Sequence, residues 1–170
     1  MLIFIIGFMG AGKTTAGRKI AAKMGYSFMD LDEFISHKTG KTIPQIFESE
    51  GEEGFRLLEK NALRALNVKK CIIATGGGTP CFHDNMEWMN KNGVTVCLSI
   101  SPKSACNRLK ASTADRPLLK GKTDDELLHD IESLMKQREG FYAMARIIAK
   151  AENLDITGLC FQIAEEIDKR

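Results

Sequence analysis

The sequence predicts an α/β fold in which a parallel sheet lies between two layers of helices. Short unbroken apolar runs recur along the chain, as expected of strands that are covered on both faces. Longer stretches with helical apolar spacing separate these runs. A glycine-rich turn, Gly7–Thr14, joins the first apolar run directly to the first helical stretch. This alternation of strands and helices favours a three-layer α/β/α arrangement.

Five strands and six helices follow from these patterns. The predicted strands are Leu2–Ile6, Ser27–Leu31 (the weakest), Cys71–Ala74, Val94–Leu98 and Arg146–Ala149. The predicted helices are Thr14–Met24, Ile43–Leu66 with a break near Gly51 and Gly54, His83–Asn90, Pro102–Leu109, Asp124–Glu139 and Thr157–Asp168.

Capping signals agree with these boundaries. Capping boxes are expected at Thr42 with Gln45 and at Thr123 with Glu126, an N-cap at Ser101 before Pro102, and C-terminal glycines at Gly25 and Gly93.

Composition is consistent with a single domain over residues 1–170. The chain is 44% hydrophobic, and its 24 basic and 22 acidic residues leave a net charge of +2. A nucleic-acid binder would usually show a larger basic excess, so we expect no nucleic-acid partner.

The five cysteines are odd in number and lack a C-x-x-C pair, which argues against disulfides or zinc and favours the cytoplasm. No run approaches the ~18 apolar residues of a membrane span. The apolar start is interpreted as a strand because no basic segment precedes it.

The glycine-rich turn matches the phosphate-binding pattern G-x-x-x-x-G-K-[ST] between a strand and a helix. Its glycines let backbone N–H groups surround a phosphate, and the helix N-terminus adds partial positive charge. Lys13 is expected to reach the β and γ phosphates, and Thr14 to offer its hydroxyl to Mg²⁺. The predicted nucleotide contacts are Gly10, Ala11, Gly12, Lys13, Thr14 and Thr15.

Two classes of phosphate-loop protein compete at this point: a small-molecule kinase and a regulatory GTPase. The GTPase needs an Asn-Lys-x-Asp guanine reader, and the nearest match, Asn90–Gly93, lacks the aspartate. A D-x-x-G match at Asp155–Gly158 follows the last predicted strand, too late for a switch. The kinase is therefore favoured, and it requires a second site for an acceptor.

Candidate acceptor residues occur at the carboxyl ends of strands and on one helix. Asp30 and Asp32 end the second strand, where alternation would point them to opposite sides; the alternative is a helix N-cap. Arg56 and Glu59 lie one helical turn apart, and the alternative there is an ordinary surface ion pair. Gly76–Gly78 follow the third strand, at the sheet edge where ligands bind, which suggests backbone packed against a substrate.

Taken in order, these motifs resemble the shikimate kinase family. The matching residues are Gly7–Thr14 with Gly17, Arg18 and Ala21, Asp30 and Asp32, Gly51 and Glu52, Phe55, Arg56 and Glu59, Gly76–Gly78, Arg116–Leu119, Arg138 and Tyr142. The resemblance implies a sheet order of 2-3-1-4-5, an ATP- and Mg²⁺-dependent monomer, and phosphorylation of the 3-hydroxyl of shikimate in aromatic amino acid biosynthesis.

The resemblance also implies a role for each matched residue. Asp32 would bind the acceptor hydroxyl as a base, and Asp30 would hold Mg²⁺ through water. Arg56 and Arg138 would bind the substrate carboxylate, Gly77 and Gly78 would contact the substrate, and Glu59 would support the site. The substrate-binding helical segment would span about residues 32–60.

A basic segment, Lys103–Lys122, carries six basic residues and one acid. We interpret its part at about residues 109–122 as a lid over ATP. Arg116 is its candidate catalytic arginine and ATP contact, and Arg108 is expected to stack on the adenine.

The chain departs from the family pattern in two places. It has Arg138-Glu-Gly-Phe-Tyr142 where many members read Arg-x-Pro-Leu-Tyr, and Lys150-Ala151 where Asp-Thr is common. No adenine contact is assigned near Glu152–Asp155. The alternatives kept open are a kinase for another hydroxy acid such as gluconate, and a non-catalytic nucleotide-binding domain.

Overall fold

A parallel sheet of five strands forms the centre of the protein. The computed structural model describes residues 1–111 and 122–169. The strands are β1 (Leu2–Ile6), β2 (Ser27–Asp30), β3 (Cys71–Ala74), β4 (Gly93–Ser99) and β5 (Ile147–Lys150). They lie in the order β2-β3-β1-β4-β5, and every neighbouring pair is parallel. The predicted fold class and strand order are confirmed.

Helices cover both faces of this sheet. They are α1 (Lys13–Met24), α2 (Leu31–Thr39), α3 (Ile43–Arg64), α4 (Asn85–Asn92), α5 (Pro102–Lys110), α6 (Asp124–Ala143) and α7 (Ile156–Asp168), with a 3₁₀ turn at Thr79–Cys81. None of the helices within the described ranges is long and apolar enough to cross a membrane. Most of the segment interpreted as a lid, including Arg116, lies outside the described residues.

Alternation along β1 divides the core into two layers. Ile3 and Ile5 face one side with apolar residues of α1, α5, α7 and the first half of α6. Phe4 and Ile6 face the other side with apolar residues of α2, α3 and α4. All four of these β1 side chains are fully buried, so the strand that leads into the glycine-rich loop is anchored on both faces.

The helix boundaries largely follow the predicted caps. Both capping boxes are present, and Ser101 caps α5. The break in α3 falls at Gly51, which has a φ of 71° that suits glycine. Gly25 adopts the left-handed conformation, whereas Gly93 is extended and begins β4. A Cβ atom on Gly93 would lie 2.4 Å from the carbonyl oxygen of Leu2, so close approach explains this glycine.

Helix α2 is not among the helices predicted from apolar spacing, although the resemblance implied a helical segment from about residue 32, and it changes the setting of two site residues. Asp30 is its N-cap and accepts hydrogen bonds from the backbone N–H groups of Asp32 and Glu33. The N-cap alternative for Asp30 is therefore correct. Asp32 lies in the first turn of α2, and two residues spaced by two in a strand would share one face. The prediction that strand alternation points the two aspartates to opposite sides is therefore wrong.

Candidate active site

The loop between β1 and α1 brings backbone N–H groups and one lysine together at the sheet edge. Gly12 precedes α1 with a φ of 86°, which allows the chain to turn into the helix. Lys13 Nζ donates to the carbonyl oxygens of Gly7 at 2.9 Å and Phe8 at 3.0 Å. The ammonium thus lies over the cradle formed by Gly10, Ala11 and Gly12, where phosphate oxygens would be bound.

Thr14 and Asp30 meet beside this loop. Thr14 Oγ1 donates to Asp30 Oδ2 at 2.8 Å, which joins the start of α1 to the end of β2. Hydroxyl and carboxylate oxygens are the donors that Mg²⁺ prefers, and this ion keeps several waters when it is bound with phosphates. The pair fits such an ion. Within the described residues no cluster of three or more His, Cys, Asp or Glu side chains forms a protein-only metal site.

Asp32 lies next to these residues in a half-buried, strongly charged setting. Burial raises the pKa of its carboxyl to about 6, and the charges of Glu59 and Asp30 add to the shift, against Lys13 and Arg56. A carboxylate with a pKa near neutrality is suited to accept a proton from a hydroxyl at neutral pH. Its Oδ1 atom is buried and has no hydrogen-bond partner among the described residues.

Arg56 and Glu59 form a buried ion pair on α3. Arg56 Nη1 contacts Glu59 Oε2 at 2.7 Å, and the two residues are 8% and 0% exposed. Arg56 also contacts Glu52 at 3.0 Å and lies over the ring of Phe82, 4.3 Å from its centroid. The surface ion-pair alternative is therefore wrong. Two carboxylates and an aromatic ring fix the guanidinium in one orientation, as required for bidentate recognition of a carboxylate.

Each glycine of Gly76–Gly78 lies against a different site residue. A Cβ atom on Gly76 would meet Glu59 Oε1 at 2.8 Å and Asp32 Oδ1 at 3.3 Å. One on Gly78 would meet Arg56 Nη2 at 2.7 Å, and one on Gly77 would lie 3.5 Å from Arg138 Nη1. Three consecutive glycines thus admit the Asp32, Glu59, Arg56 and Arg138 side chains to one small space.

Arg138 and Tyr142 reach this space from α6. The Arg138 guanidinium lies 5.8 Å from the ring centroid of Phe8, and its buried Nη1 has no hydrogen-bond partner in the described part of the chain. Tyr142 Oη donates to the carbonyl oxygen of Gly77 at 2.7 Å. Helix α6 is continuous to Ala143 across the segment Arg138-Glu-Gly-Phe-Tyr142, where the chain departs from the family pattern.

Arg108 connects the glycine-rich loop to the segment after β5. Its Nη1 donates to the carbonyl oxygen of Gly10 at 3.1 Å, and its Nη2 to that of Ala151 at 3.4 Å. Glu152 Oε1 accepts from the backbone N–H of Ser101 at 3.1 Å, and backbone N–H donation from Ser101 helps lower the pKa of Glu152 to about 2. These contacts place Arg108 beside the phosphate loop. Thr15 is exposed on the first turn of α1.

Sequence reasoning missed Thr79 and Asn85, two buried polar residues behind the glycines. Thr79 Oγ1 donates to Glu59 Oε1, and Asn85 Nδ2 donates to the carbonyl oxygen of Thr79 at 2.9 Å. Both residues are 0% exposed. No local spacing signals them, because Thr79 is 20 residues from Glu59.

Comparison with known proteins agrees with this arrangement. The family model described as shikimate kinase matches residues 9–168. A shikimate kinase of Bacteroides thetaiotaomicron is 44% identical over 154 residues, 90% of this chain and 88% of that protein. A crystal structure of shikimate kinase from that organism has a TM-score of 0.90 and 40% identity, over 99% and 98% of the two chains. A shikimate kinase from Acinetobacter baumannii in complex with shikimate has a TM-score of 0.81 and 35% identity, over 99% and 93%. This chain is a member of the shikimate kinase family.

Proposed function

We propose that this protein transfers the γ-phosphoryl group of ATP to the 3-hydroxyl of shikimate, giving shikimate 3-phosphate and ADP. One observation carries the proposal. In the described residues, the buried side-chain N and O atoms without a hydrogen-bond partner are Asp32 Oδ1 and Arg138 Nη1. One is an acceptor and the other a donor, and both lie against the triple glycine. Buried polar atoms are normally paired, so these two fit a ligand with a hydroxyl and an anionic group.

The substrate carboxylate is assigned to Arg56 and Arg138. Arg56 is held by Glu59 and Glu52 with its guanidinium against Gly78, and Arg138 approaches from α6 beside Gly77. Two guanidinium groups that converge from different elements provide charge-assisted hydrogen bonds to both oxygens of a carboxylate. The backbones of Gly77 and Gly78 border the same space and are the proposed backbone contacts.

Asp32 is assigned to the acceptor hydroxyl. As the hydroxyl oxygen attacks the γ-phosphorus, the bond from that phosphorus to the β–γ bridging oxygen breaks, and Asp32 takes the hydroxyl proton. Its raised pKa suits this exchange at neutral pH. Lys13 and the N–H groups of the glycine-rich loop hold the phosphate oxygens in line with the hydroxyl.

Mg²⁺ is the proposed metal cofactor, with Thr14 as a direct ligand and Asp30 as a ligand through water. When bound, the ion neutralises charge on the phosphate oxygens. Asp30 accepts from Thr14 and from the start of α2, so its carboxylate is oriented before any ion binds. Arg108 is proposed as an ATP contact, and Arg116 stays a prediction from the sequence.

A panel of acceptors assayed by ADP release tests the proposal. The purified chain receives ATP and Mg²⁺ with shikimate, gluconate, a nucleoside monophosphate or no acceptor. We expect shikimate alone to stimulate ADP release, with a stoichiometric product identified by ³¹P NMR as the 3-phosphate. Two variants serve as inactive controls. Asp32→Asn should retain nucleotide binding, and Lys13→Met should retain the fold.

Two results would contradict the proposal. Release of ADP stimulated by gluconate and not by shikimate would assign the site to another hydroxy acid. Binding of ATP with no acceptor-dependent release would support a nucleotide-binding domain without transferase activity. Repeating the panel in EDTA tests the metal assignment, because activity that survives chelation would contradict it.

A further inference from the structure

A buried hydroxyl behind the triple glycine contacts the carboxylate that orients Arg56. Thr79 Oγ1 donates to Glu59 Oε1, while Glu59 Oε2 accepts from Arg56 Nη1 at 2.7 Å. We propose that Thr79 is a positioning residue for substrate binding, whose hydroxyl holds Glu59 so that Glu59 holds Arg56 toward the substrate carboxylate. This inference rests on the proposed function.

Glu59 depends on both of its partners because it has no access to solvent. The residue is 0% exposed, so neither carboxylate oxygen is in contact with bulk solvent. A buried carboxylate oxygen that loses its only donor keeps the full cost of desolvation. Without the Thr79 hydroxyl, Glu59 would compensate by rotating or by taking a proton. Either change alters its contact with Arg56.

Thr79 itself is fixed from the opposite side. Its carbonyl oxygen accepts from Asn85 Nδ2 at 2.9 Å, and its backbone N–H donates to the carbonyl oxygen of Gly76 at 3.3 Å. Arg64 Nη1 in turn donates to Asn85 Oδ1 at 2.6 Å. The 3₁₀ turn is therefore anchored to α3 and α4, and the hydroxyl cannot follow Glu59 if that side chain moves. This rigidity distinguishes a positioning contact from an incidental one.

The contact between Thr79 and Glu59 depends on pH, because the Glu59 carboxyl can take up a proton. Burial raises the pKa of Glu59, whereas Arg56 and the Thr79 hydroxyl lower it. Within residues 1–111 and 122–169, the other charged or titratable groups that interact with it include Arg138 on α6, Asp32 on α2 and the Cys81 thiol of the 3₁₀ turn. Removing the hydroxyl raises the Glu59 pKa further. Since protonated Glu59 no longer pairs with Arg56 as an ion, shikimate binding would then weaken at a higher pH than in the parent.

Two substitutions at one position separate the hydroxyl from the shape of the side chain. Thr79→Val keeps the branched shape without the donor, and Thr79→Ser keeps the donor with one methyl fewer. At pH 7.5 we expect Thr79→Val to raise the shikimate dissociation constant by about tenfold or more, and Thr79→Ser by less than about threefold. The KM for ATP and the kcat at saturating shikimate should change less than about twofold in both, because Thr79 contacts neither the nucleotide nor the reacting atoms.

Thr95→Val is the matched control. Thr95 is also 0% exposed, and its hydroxyl donates to Asn90 Oδ1 at 2.6 Å, away from the glycines. The Thr95→Val variant should lose stability like Thr79→Val but bind shikimate normally. It therefore separates a general loss of stability from a loss of Arg56 positioning. Thermal unfolding and circular dichroism establish that each variant is folded.

The dissociation constants are then measured by calorimetry from pH 8 to pH 6 without nucleotide or metal. Both variants keep the other site residues, so their ratio isolates the hydroxyl, and a ratio that widens as the pH falls would report earlier protonation of Glu59 in Thr79→Val. The inference is wrong if Thr79→Val binds shikimate like the parent, or if Thr79→Ser binds as weakly as Thr79→Val. A parent that does not bind or phosphorylate shikimate would instead contradict the proposed function.

Discussion

The guanidinium of Arg56 lies so close to Gly78 that a Cβ atom on this glycine would come within 2.8 Å of Cζ and both terminal nitrogens. The contact joins the long kinked helix α3 to the turn after β3. It explains why a glycine occupies a position where φ is −88° and other residues would be tolerated by the backbone. Space for an arginine, rather than backbone freedom, is the requirement at Gly78.

Gly78→Ala should therefore weaken shikimate binding specifically. The added methyl group would displace Arg56 at a cost of about 1–3 kcal/mol, typical of an overpacked site. We expect a shikimate KM raised by about tenfold or more with an unchanged KM for ATP. Steady-state kinetics with each substrate varied in turn provides the measurement.

Gly140→Ala is the control for this substitution. Gly140 lies on α6 near Arg138, and a Cβ atom there would meet nothing within 4 Å. Alanine favours a helix interior over glycine by about 1 kcal/mol, so this variant should be slightly more stable and fully active. Equal shikimate KM values in the two glycine variants would show that Arg56 does not need the space.

Asp32→Asn should lose activity and gain stability at alkaline pH. The loss in kcat is expected to be about 10²–10⁴-fold, the usual contribution of a positioned base. The pKa of Asp32 is raised to about 6 in the folded protein from 3.8, so the folded state binds the proton more tightly than the unfolded chain. The ionised carboxylate therefore lowers stability, an effect absent below pH 3.8 and complete above pH 6.

Thermal unfolding in EDTA at pH 8 and at pH 4 measures this change in stability. Asparagine should raise the free energy of unfolding at pH 8 by on the order of 2 kcal/mol, with little gain at pH 4. An Asp32→Asn protein that is less stable than the parent at pH 8 would indicate that the carboxylate is well compensated by Lys13 and Arg56.

Substitutions of Arg138 and Arg108 should raise the KM for different substrates. Arg138→Met removes a guanidinium beside Gly77, so the shikimate KM should rise by about tenfold or more while that for ATP stays constant. Arg108→Met removes donors to the Gly10 and Ala151 carbonyl oxygens, so the KM for ATP should rise instead. The pair controls for itself, since both substitutions replace one arginine with methionine. Loss of affinity for the same substrate in both variants would contradict the assignment.

Lys13→Met should abolish turnover and leave the fold intact. Lys13 Nζ contacts the carbonyl oxygens of its own loop, so methionine removes charge without opening the core. We expect kcat to fall by about 10³-fold or more with a melting temperature close to that of the parent. Activity at the parent rate would remove Lys13 from the mechanism.

Local patterns were sufficient to predict the strands and several candidate site residues, whereas the strand order and the residue roles came from the family resemblance. Unbroken apolar runs identified β1 and β3, because buried parallel strands need no polar alternation. The glycine-rich loop was recognised because its residue types and spacing are fixed by phosphate binding. The spacing of Arg56 and Glu59 indicated that they share a helix face, but it did not indicate their burial. Burial depends on Phe82 and Gly78, which reach Arg56 from outside α3.

Apolar spacing did not reveal helix α2, although the resemblance implied a helical segment from about residue 32. A start signal is present, since Asp30 is followed three residues later by Glu33. Asp32 therefore lies in a helix rather than at the end of a strand, and it stays in the site. Tyr142 and Thr79 act through contacts 65 and 20 residues away, and no periodicity within one element predicts such pairs.

The strand order fixes how far apart the elements that carry the nucleotide and acceptor residues begin. The glycine-rich loop leaves β1, Asp30 and Asp32 follow β2, and β3 lies between these two strands with its glycines. Neighbouring strands are about 4.8 Å apart, so donor and acceptor elements are separated by roughly 10 Å of hydrogen-bonded backbone. Inter-strand geometry, which side-chain substitutions barely alter, thus sets the coarse spacing of the two substrates. Substrate preference can change at the acceptor side chains while the spacing of these elements stays the same.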